Sequence, residues 1–307
     1  MLPPVETDEQ WDAVVPDETV MRPGVEALCA RLGLADAPLT RFPDGSQPVY
    51  AVGDEHALKL FPGTAAQDGV AEGRVLSYLQ GRLPVATPQV REFGPYENDW
   101  QFVLMSRLRG ENLAHAWDRI PHAHRERLVA EIGETLAVLH SLDPGPLEDV
   151  LGPGDWGAFL DRRREGTVEQ QHAHGLSAGW LEQIPEFLAS VPLPRAPHRS
   201  LLHTEVMQQH FLVDPDGWRL TGLFDFEPAM IGDRAYDFVG VGLFVTRGDP
   251  QLLAQLAKAY GHTFEPTELL AYTLLHVYSN LSWYMRELHV PAEGTLPSLA
   301  EAWFATA

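Results

Sequence analysis

The chain has 307 residues, of which 45% are hydrophobic, and a formal net charge of −21. That length supports one large or two modest domains with real cores. The acidity argues against a nucleic-acid surface, which needs clustered Lys and Arg to displace counterions, and fits either cationic partners or solubility alone. No apolar run approaches the ~20 residues that span a bilayer, and the opening MLPPVETDEQWD is acidic where a signal peptide is basic and then apolar. A cytoplasmic protein with no membrane partner is expected. One cysteine, Cys29, excludes an intramolecular disulfide and a multi-cysteine metal site. Lys and Arg total 22, yet only Lys59 and Lys258 are lysines, which singles out Lys59.

In chain order, LTRF, the turn Pro43-Asp44-Gly45-Ser46-Gln47, PVYAVG, the turn Gly53-Asp54-Glu55 and HALKLF read as three successive strands. Alternation puts Lys59 on the face of Ala57 and Phe61, apolar neighbours that point its ammonium into a cleft. Thr64-Ala65-Ala66-Gln67 has a capping-box pattern, and Glu72, Val75, Leu76 and Leu79 share one stripe of the helix that follows. Glu72 therefore faces inward, and a buried acid and a buried lysine each need the other. WQFVLM reads as a further buried strand ending at Ser106-Arg107-Leu108, a candidate hinge. Residues 1–106 thus form a strand-rich lobe around one helix, and 107–307 a mainly helical lobe.

Beyond the hinge, Leu128, Ile132, Leu136 and Leu139 mark a helix from Glu126 to Leu142 that stops before Asp143-Pro144-Gly145-Pro146. Helical patterns recur around 155–190 and from 250 onward, separated by proline-rich connectors. His172 and His174, two residues apart on a helix, do not face each other and read as an exposed edge. The aromatic cluster from Tyr278 to Tyr284, with Trp283, reads as core packing.

The segment from His203 to Asp237, HTEVMQQHFLVDPDGWRLTGLFDFEPAMIGDRAYD, is the most informative. Asp214-Pro215-Asp216-Gly217 between apolar runs predicts a hairpin. Its outer ends carry Glu205 and His210 on one side and Asp225 and Glu227 on the other, so the two loops are expected to converge on a polar cluster. Asp225 closes an apolar strand and opens a loop with a second carboxylate, a placement that suits a Mg²⁺ ligand.

H-x-D-x-x-x-x-N, a hairpin, D-F/W-x and then G-D-x-x-x-D is the pattern of the aminoglycoside phosphotransferase family, a branch of the protein-kinase-like superfamily, and the chain resembles it. His203, Asp225, Phe226, Gly232, Asp233 and Asp237 fall on the pattern. Glu205 stands where the family has its catalytic Asp, and His210 where it has a metal-binding Asn. The tracts RFPDGSQPVYAVGDEHALKLF, FVLMSRLRGENL and FLDRRREGTVEQQHAHG are similar to the branch that includes a hygromycin phosphotransferase.

The resemblance implies a bilobal kinase-like α+β fold, with an N-terminal antiparallel sheet plus helix and a mainly helical C-terminal lobe. It implies an ATP- or GTP-dependent O-phosphotransferase with Mg²⁺ or Mn²⁺, acting on a small hydroxylated acceptor, often a polycationic antibiotic, and hence antibiotic resistance. Phosphoryl transfer needs positioning and charge neutralisation more than covalent chemistry. Lys59 would contact the nucleotide phosphates, Glu72 would hold it, the turn of Gly45, Ser46 and Gln47 would cover the phosphates, and Ser106 and Leu108 at the hinge would complete the nucleotide site. Asp225, Glu227 and His210 are the candidate metal ligands, and Glu205 the candidate catalytic base. His203 and Asp237 would brace the catalytic loop. An imidazole at position 210 prefers softer metals than an amide oxygen does. Three outcomes stay open: an active kinase with an altered loop, an enzyme with an unusual metal preference, or a nucleotide-binding protein without turnover. A kinase for an amino alcohol or sugar is a further alternative, and the oligomeric state is not legible.

Overall fold

A computed structural model describes residues 1–306. The chain groups into two compact units, one of residues 1–82, 86–109 and 222–228, the other of 83–85, 110–221 and 229 onward. The first unit is built on β1 (Leu39–Arg41), β2 (Val49–Val52), β3 (His56–Phe61), β4 (Val90–Pro95) and β5 (Gln101–Ser106). The five pair antiparallel in the order β1-β2-β3-β5-β4. Lys59 pairs with Val49 on one side and Val103 on the other, so it sits in the middle of the sheet.

Pleating divides this sheet between two partners. One face carries Tyr50, Val52, Leu58, Leu60, Phe102 and Leu104, buried in a common cluster with Leu2, Val5, Met21, Val25 and Leu28. These N-terminal residues bring two helices, Asp8–Val14 and Glu18–Arg31, where the sequence reading had a single helix in this lobe. Pro23 and Gly24 lie inside the second of them, although proline inside a helix removes a hydrogen bond. The packing explains the glycine: a Cβ at Gly24 would lie 2.6 Å from Leu2 Cδ2 and 2.8 Å from its backbone nitrogen.

The other face, with Lys59 and Phe61, receives the helix Ala66–Leu79, whose Glu72, Val75, Leu76 and Leu79 are all buried. Gly69 permits the close approach, since a Cβ there would come within 2.7 Å of the Phe61 ring. The predicted capping box is absent. A 3₁₀ turn, Gly63–Ala65, leads into the helix, its N-cap is Ala65, and no side chain caps it. Sheet packing, rather than a cap, sets where this helix begins.

The second unit is mainly helical. Its helix His122–Ser141 starts four residues before the predicted Glu126, and Leu128, Ile132, Leu136 and Leu139 are fully buried. It packs on the helix Pro250–Tyr260, where Gly133 admits the backbone carbonyl of Leu256; a Cβ at 133 would lie 2.5 Å from it. Further helices run Trp156–Ala173, Ile184–Ser190, Pro266–Leu275, Leu281–Glu287 and Leu296–Phe304. Four short strands, β6 (Glu111–Asn112), β7 (Ser200–Leu202), β8 (Phe211–Val213) and β10 (Met230–Gly232), and the start of β9 (Leu220–Leu223), whose last two residues are counted with the first unit, complete it, with β7 paired to β10 and the others ordered β6-β8-β9. The predicted hairpin is β8 and β9. The Asp214 carboxylate accepts from the N–H groups of Asp216 (3.2 Å) and Gly217 (3.1 Å), which holds the turn.

No helix of the described residues is long and apolar enough to cross a membrane. His172 and His174 are exposed. The aromatic cluster departs from the core role expected of it: Leu281 and Tyr284 are buried, but Tyr278 is 57% and Trp283 39% exposed. A short helix buries one face only, and Trp283 lies off it, while Tyr278 sits in the turn before that helix.

Candidate functional site

In the first unit, Lys59 is the centre of a charge cluster. Its Nζ lies 2.9 Å from Glu72 Oε2, 2.8 Å from Glu227 Oε2 and donates to Asp225 Oδ1 at 2.5 Å. The ammonium also sits 5.2 Å from the centroid of the Phe61 ring. Strand alternation directs Lys59 inward and the helical stripe directs Glu72 to meet it. Asp225 and Glu227 arrive on the segment after β9, where Asp225 takes a left-handed backbone conformation, φ 73°. That is uncommon for a residue with a side chain and a frequent mark of functional loops. Ser46 Oγ, on the turn after β1, donates to Glu227 Oε1 at 3.3 Å. Gly45 has φ +111°, a conformation that glycine supplies without strain. Gln47 is buried, whereas Ser106 and Leu108 at the end of β5 are half-buried. The Ser106 hydroxyl accepts from the Gln89 N–H.

The electrostatics follow from counting charges. Glu72, Asp225 and Glu227 set three carboxylates against one ammonium, so the fully ionised cluster is two units negative. Burial opposes the Lys59 charge, but the three carboxylates outweigh it and hold the pKa well above the usual lysine range. Burial pushes Glu72 up to about 7; Lys59 pulls it down, and Asp225 and Glu227 add to the rise. Glu72, raised in the folded state above its unfolded value near 4.5, favours folding most below that value, and the contribution is lost as pH climbs toward 7. Glu72→Gln is therefore expected to flatten the fall in stability between pH 5 and 7, read from urea midpoints. Parallel pH profiles for the two proteins would contradict this.

In the second unit, the segment His203-Thr204-Glu205 is held by Asp237. Its carboxylate accepts from the N–H of His203 at 2.9 Å, the N–H of Thr204 at 2.6 Å and His140 Nε2 at 2.9 Å, and the side chain is fully buried. Burial alone would raise its pKa; the His140 bond, the His140 and His203 charges and the backbone donor hold it below the ordinary value. Thr204 has φ +68°, a conformation stabilised by that clamp. Glu205 is half-buried and its carbonyl accepts from His210 Nδ1 at 2.8 Å. His210 stacks on His203 with centroids 5.6 Å apart.

Sequence reasoning missed two histidines here. His140 lies at the end of the helix His122–Ser141, donates to Asp237, and pairs its Nδ1 with the Tyr260 hydroxyl at 2.9 Å. His276 follows the helix Pro266–Leu275 and reaches the Thr204 carbonyl with Nε2 at 3.2 Å. His140 was findable as a polar residue four places after Leu136 on an apolar stripe. His276 carried no such signal.

The two folded units, an antiparallel sheet with its helix and a mainly helical remainder, have the protein-kinase-like fold. Solved structures bear this out at 16–20% identity. A GDP complex of a mutant aminoglycoside 2'-phosphotransferase-IIIa matches with TM-score 0.69 and 18% identity over 94% of each chain. The streptomycin-ATP-APH(2")-IIa ternary complex gives 0.63 and 16% over 91% of this chain and 97% of that one. The macrolide 2'-phosphotransferase MphH from Brachybacterium faecium gives 0.64 and 20% over 91% and 97%.

The model of the phosphotransferase enzyme family matches residues 38–272, and the chain belongs to that family. Among curated proteins it is similar to YcbJ of Bacillus subtilis, 25% identical over 181 residues, and to the lysine-specific demethylase JMJ21 of Arabidopsis thaliana, 22% identical over 202 residues. The matches take in 55% and 53% of this chain, but 56% of YcbJ and 21% of JMJ21.

Proposed function

We propose that the protein is a nucleotide-dependent O-phosphotransferase of the aminoglycoside phosphotransferase type, acting on a small, hydroxylated, cationic acceptor. The observation that carries this reading is Lys59, buried in mid-sheet and ringed by Glu72, Asp225 and Glu227. A lysine fixed by three carboxylates can hold phosphate oxygens without losing its proton, since its pKa lies far above neutrality. Glu72 sets the position of the ammonium. Ser46 and the backbone of Gly45 and Gln47 cover the phosphates of ATP or GTP, and Ser106 and Leu108 complete the nucleotide site.

The donor set also fits a divalent cation. Asp225, Glu227 and Glu72 offer hard carboxylate oxygens within 4.8 Å of one another, and the surplus of two negative charges matches one Mg²⁺. Asp225 and Glu227 are the ligands proposed. When bound, the ion neutralises charge on the transferring phosphoryl group. His210 is the weaker ligand candidate, because its Nδ1 proton is engaged by the Glu205 carbonyl; only Nε2 has a lone pair to offer, and imidazole favours Mn²⁺ over Mg²⁺.

Glu205 accepts the proton of the acceptor hydroxyl. A glutamate in place of the family's aspartate keeps the charge on a longer arm. The formal charge of −21 and the exposed Glu169, Glu182, Glu186 and Glu287 of the helical unit favour a polycationic acceptor. Similarity to the hygromycin phosphotransferase branch makes aminocyclitol antibiotics the first acceptors to try, which would make this a cytoplasmic resistance enzyme.

The test is a screen of ATP and GTP with Mg²⁺ and Mn²⁺ in parallel against aminoglycosides, a macrolide, amino alcohols and sugars, with Lys59→Ala as control. Transfer to a cationic acceptor, a KM that climbs as salt shortens the Debye length from about 30 Å at 0.01 M to about 8 Å at 0.15 M, and loss of nucleotide binding in Lys59→Ala are expected. Transfer to an amino alcohol or a sugar but to no aminoglycoside would point to the metabolite kinase, and a neutral preferred acceptor with a salt-insensitive KM would reject the cationic reading. Nucleotide binding with no transfer to any acceptor would point to a non-catalytic nucleotide-binding protein.

A further inference from the structure

Glu205 lies between two peptide planes, and each is gripped by a histidine. The plane before it ends in the Thr204 carbonyl, which accepts from His276 Nε2 at 3.2 Å. The plane after it begins with the Glu205 carbonyl, which accepts from His210 Nδ1 at 2.8 Å. The N–H of Thr204 is already fixed by Asp237, so the turn at φ +68° is closed from both sides.

His276 is itself immobilised. It is 5% exposed, and its ring stacks on Tyr236 with centroids 4.5 Å apart and planes 20° from parallel. The Tyr278 N–H donates to its Nδ1 at 3.3 Å. With Nδ1 accepting and a carbonyl facing Nε2, the neutral tautomer protonated on Nε2 satisfies both partners. Burial, the dominant cause, pushes its pKa down to about 4; the Thr204 bond and Asp237 oppose that and Arg163 adds to it, so the ring stays neutral through the physiological range. Its backbone is pinned as well. Arg163 donates to the carbonyls of Leu275 at 3.0 Å and His276 at 2.7 Å, and Gln170 and Gln171 both donate to Ser279. The Val277 N–H donates to the Tyr236 hydroxyl at 2.9 Å.

We propose that His276 is a positioning residue for Glu205, fixing with His210 the two peptide planes that aim its carboxylate. The need is physical. Glutamate has one more rotatable bond than aspartate, so the direction of its carboxylate depends more on how rigidly its backbone is held. The inference rests on the reading of Glu205 as the base.

The experiment compares His276→Phe, which keeps the stacking ring and loses the donor, with His276→Gln, whose side-chain amide can donate from near the place of Nε2. Two readouts are taken on the full chain: hydrogen exchange of the 203–206 backbone, and hydrolysis of ATP and GTP with Mg²⁺. In His276→Phe, faster exchange at 203–206 and a turnover reduced by about 10- to 100-fold with little change in nucleotide KM are expected, the range for a lost orienting contact. His276→Gln is expected to restore most of both. In a Glu205→Gln background, His276→Phe is expected to cost nothing further, because residues acting as a unit are not additive.

Unchanged exchange and turnover in His276→Phe, with Glu205→Gln inactive, would overturn the proposal and leave the reading of Glu205 standing. Full activity in Glu205→Gln, or no hydrolysis by the wild type, would reject that reading instead, and the exchange data alone would then decide whether His276 holds the turn. Should His276→Phe not fold, His276→Gln beside His276→Ala carries the same comparison.

Discussion

Glu205→Gln is expected to lower phosphotransferase turnover by about 10²- to 10⁴-fold, the range for a positioned general base, while nucleotide binding is retained. The amide keeps the shape and the backbone clamp of Glu205 but cannot take a proton, and the nucleotide-holding groups proposed here, Lys59 and its three carboxylates, are untouched. The checks are steady-state kinetics with a competent acceptor and a separate titration of nucleotide. Glu205→Asp is the informative companion. It restores the family's residue but withdraws the carboxylate by one methylene on a backbone set for the longer arm, so it is expected to recover only part of the rate. Full activity in Glu205→Gln would remove Glu205 from the chemistry.

Asp237→Ala is expected to destabilise the helical unit by about 3–5 kcal/mol, the cost of breaking a buried charged partnership. Removal of the carboxylate orphans the His203 and Thr204 N–H groups and the Nε2 of His140 at once. A buried donor left without an acceptor bears its full desolvation cost. Urea unfolding measures the loss. The acid side supplies an independent check. Asp237, whose folded pKa is held below the unfolded one, contributes stability that is complete above the unfolded value near 3.8 and is lost as pH falls through the folded value. Asp237→Ala should thus show a shallower loss of stability on acidification than the wild type. Asp237→Asn, which retains one acceptor oxygen, should fall between the two; a stability equal to wild type in either variant would contradict the clamp.

Much of the first unit was legible from residue order. The alternation of HALKLF placed Lys59 inward, the helical stripe placed Glu72 inward, and the two side chains meet at 2.9 Å. The Asp214 turn predicted the β8–β9 hairpin for the same kind of reason, a local conformational preference acting over four residues. What failed locally failed because tertiary packing overruled propensity. Glu18–Arg31 is a helix despite Pro23-Gly24, since Met21, Val25 and Leu28 bury against the sheet and Gly24 admits Leu2. The helix at Ala66 begins without its expected cap, and Trp283 and Tyr278 lie outside the core in spite of their hydrophobicity.

The sequence by itself determined the strand that carries Lys59, the inward stripe of the helix that carries Glu72 and the turn between β8 and β9, because these follow from periodicity and turn chemistry within a dozen residues, and it supplied the family pattern on which His203, Asp225 and Asp237 fall. Only the tertiary structure decided the partners. That Asp225 and Glu227 join Glu72 around Lys59, that His140 joins Asp237 from 97 positions away, and that His276 grips the peptide before Glu205 from 72 positions away are long-range facts. Their cause is the requirement that buried charges and donors find partners wherever the folded chain brings them, and no local pattern encodes which partner that will be.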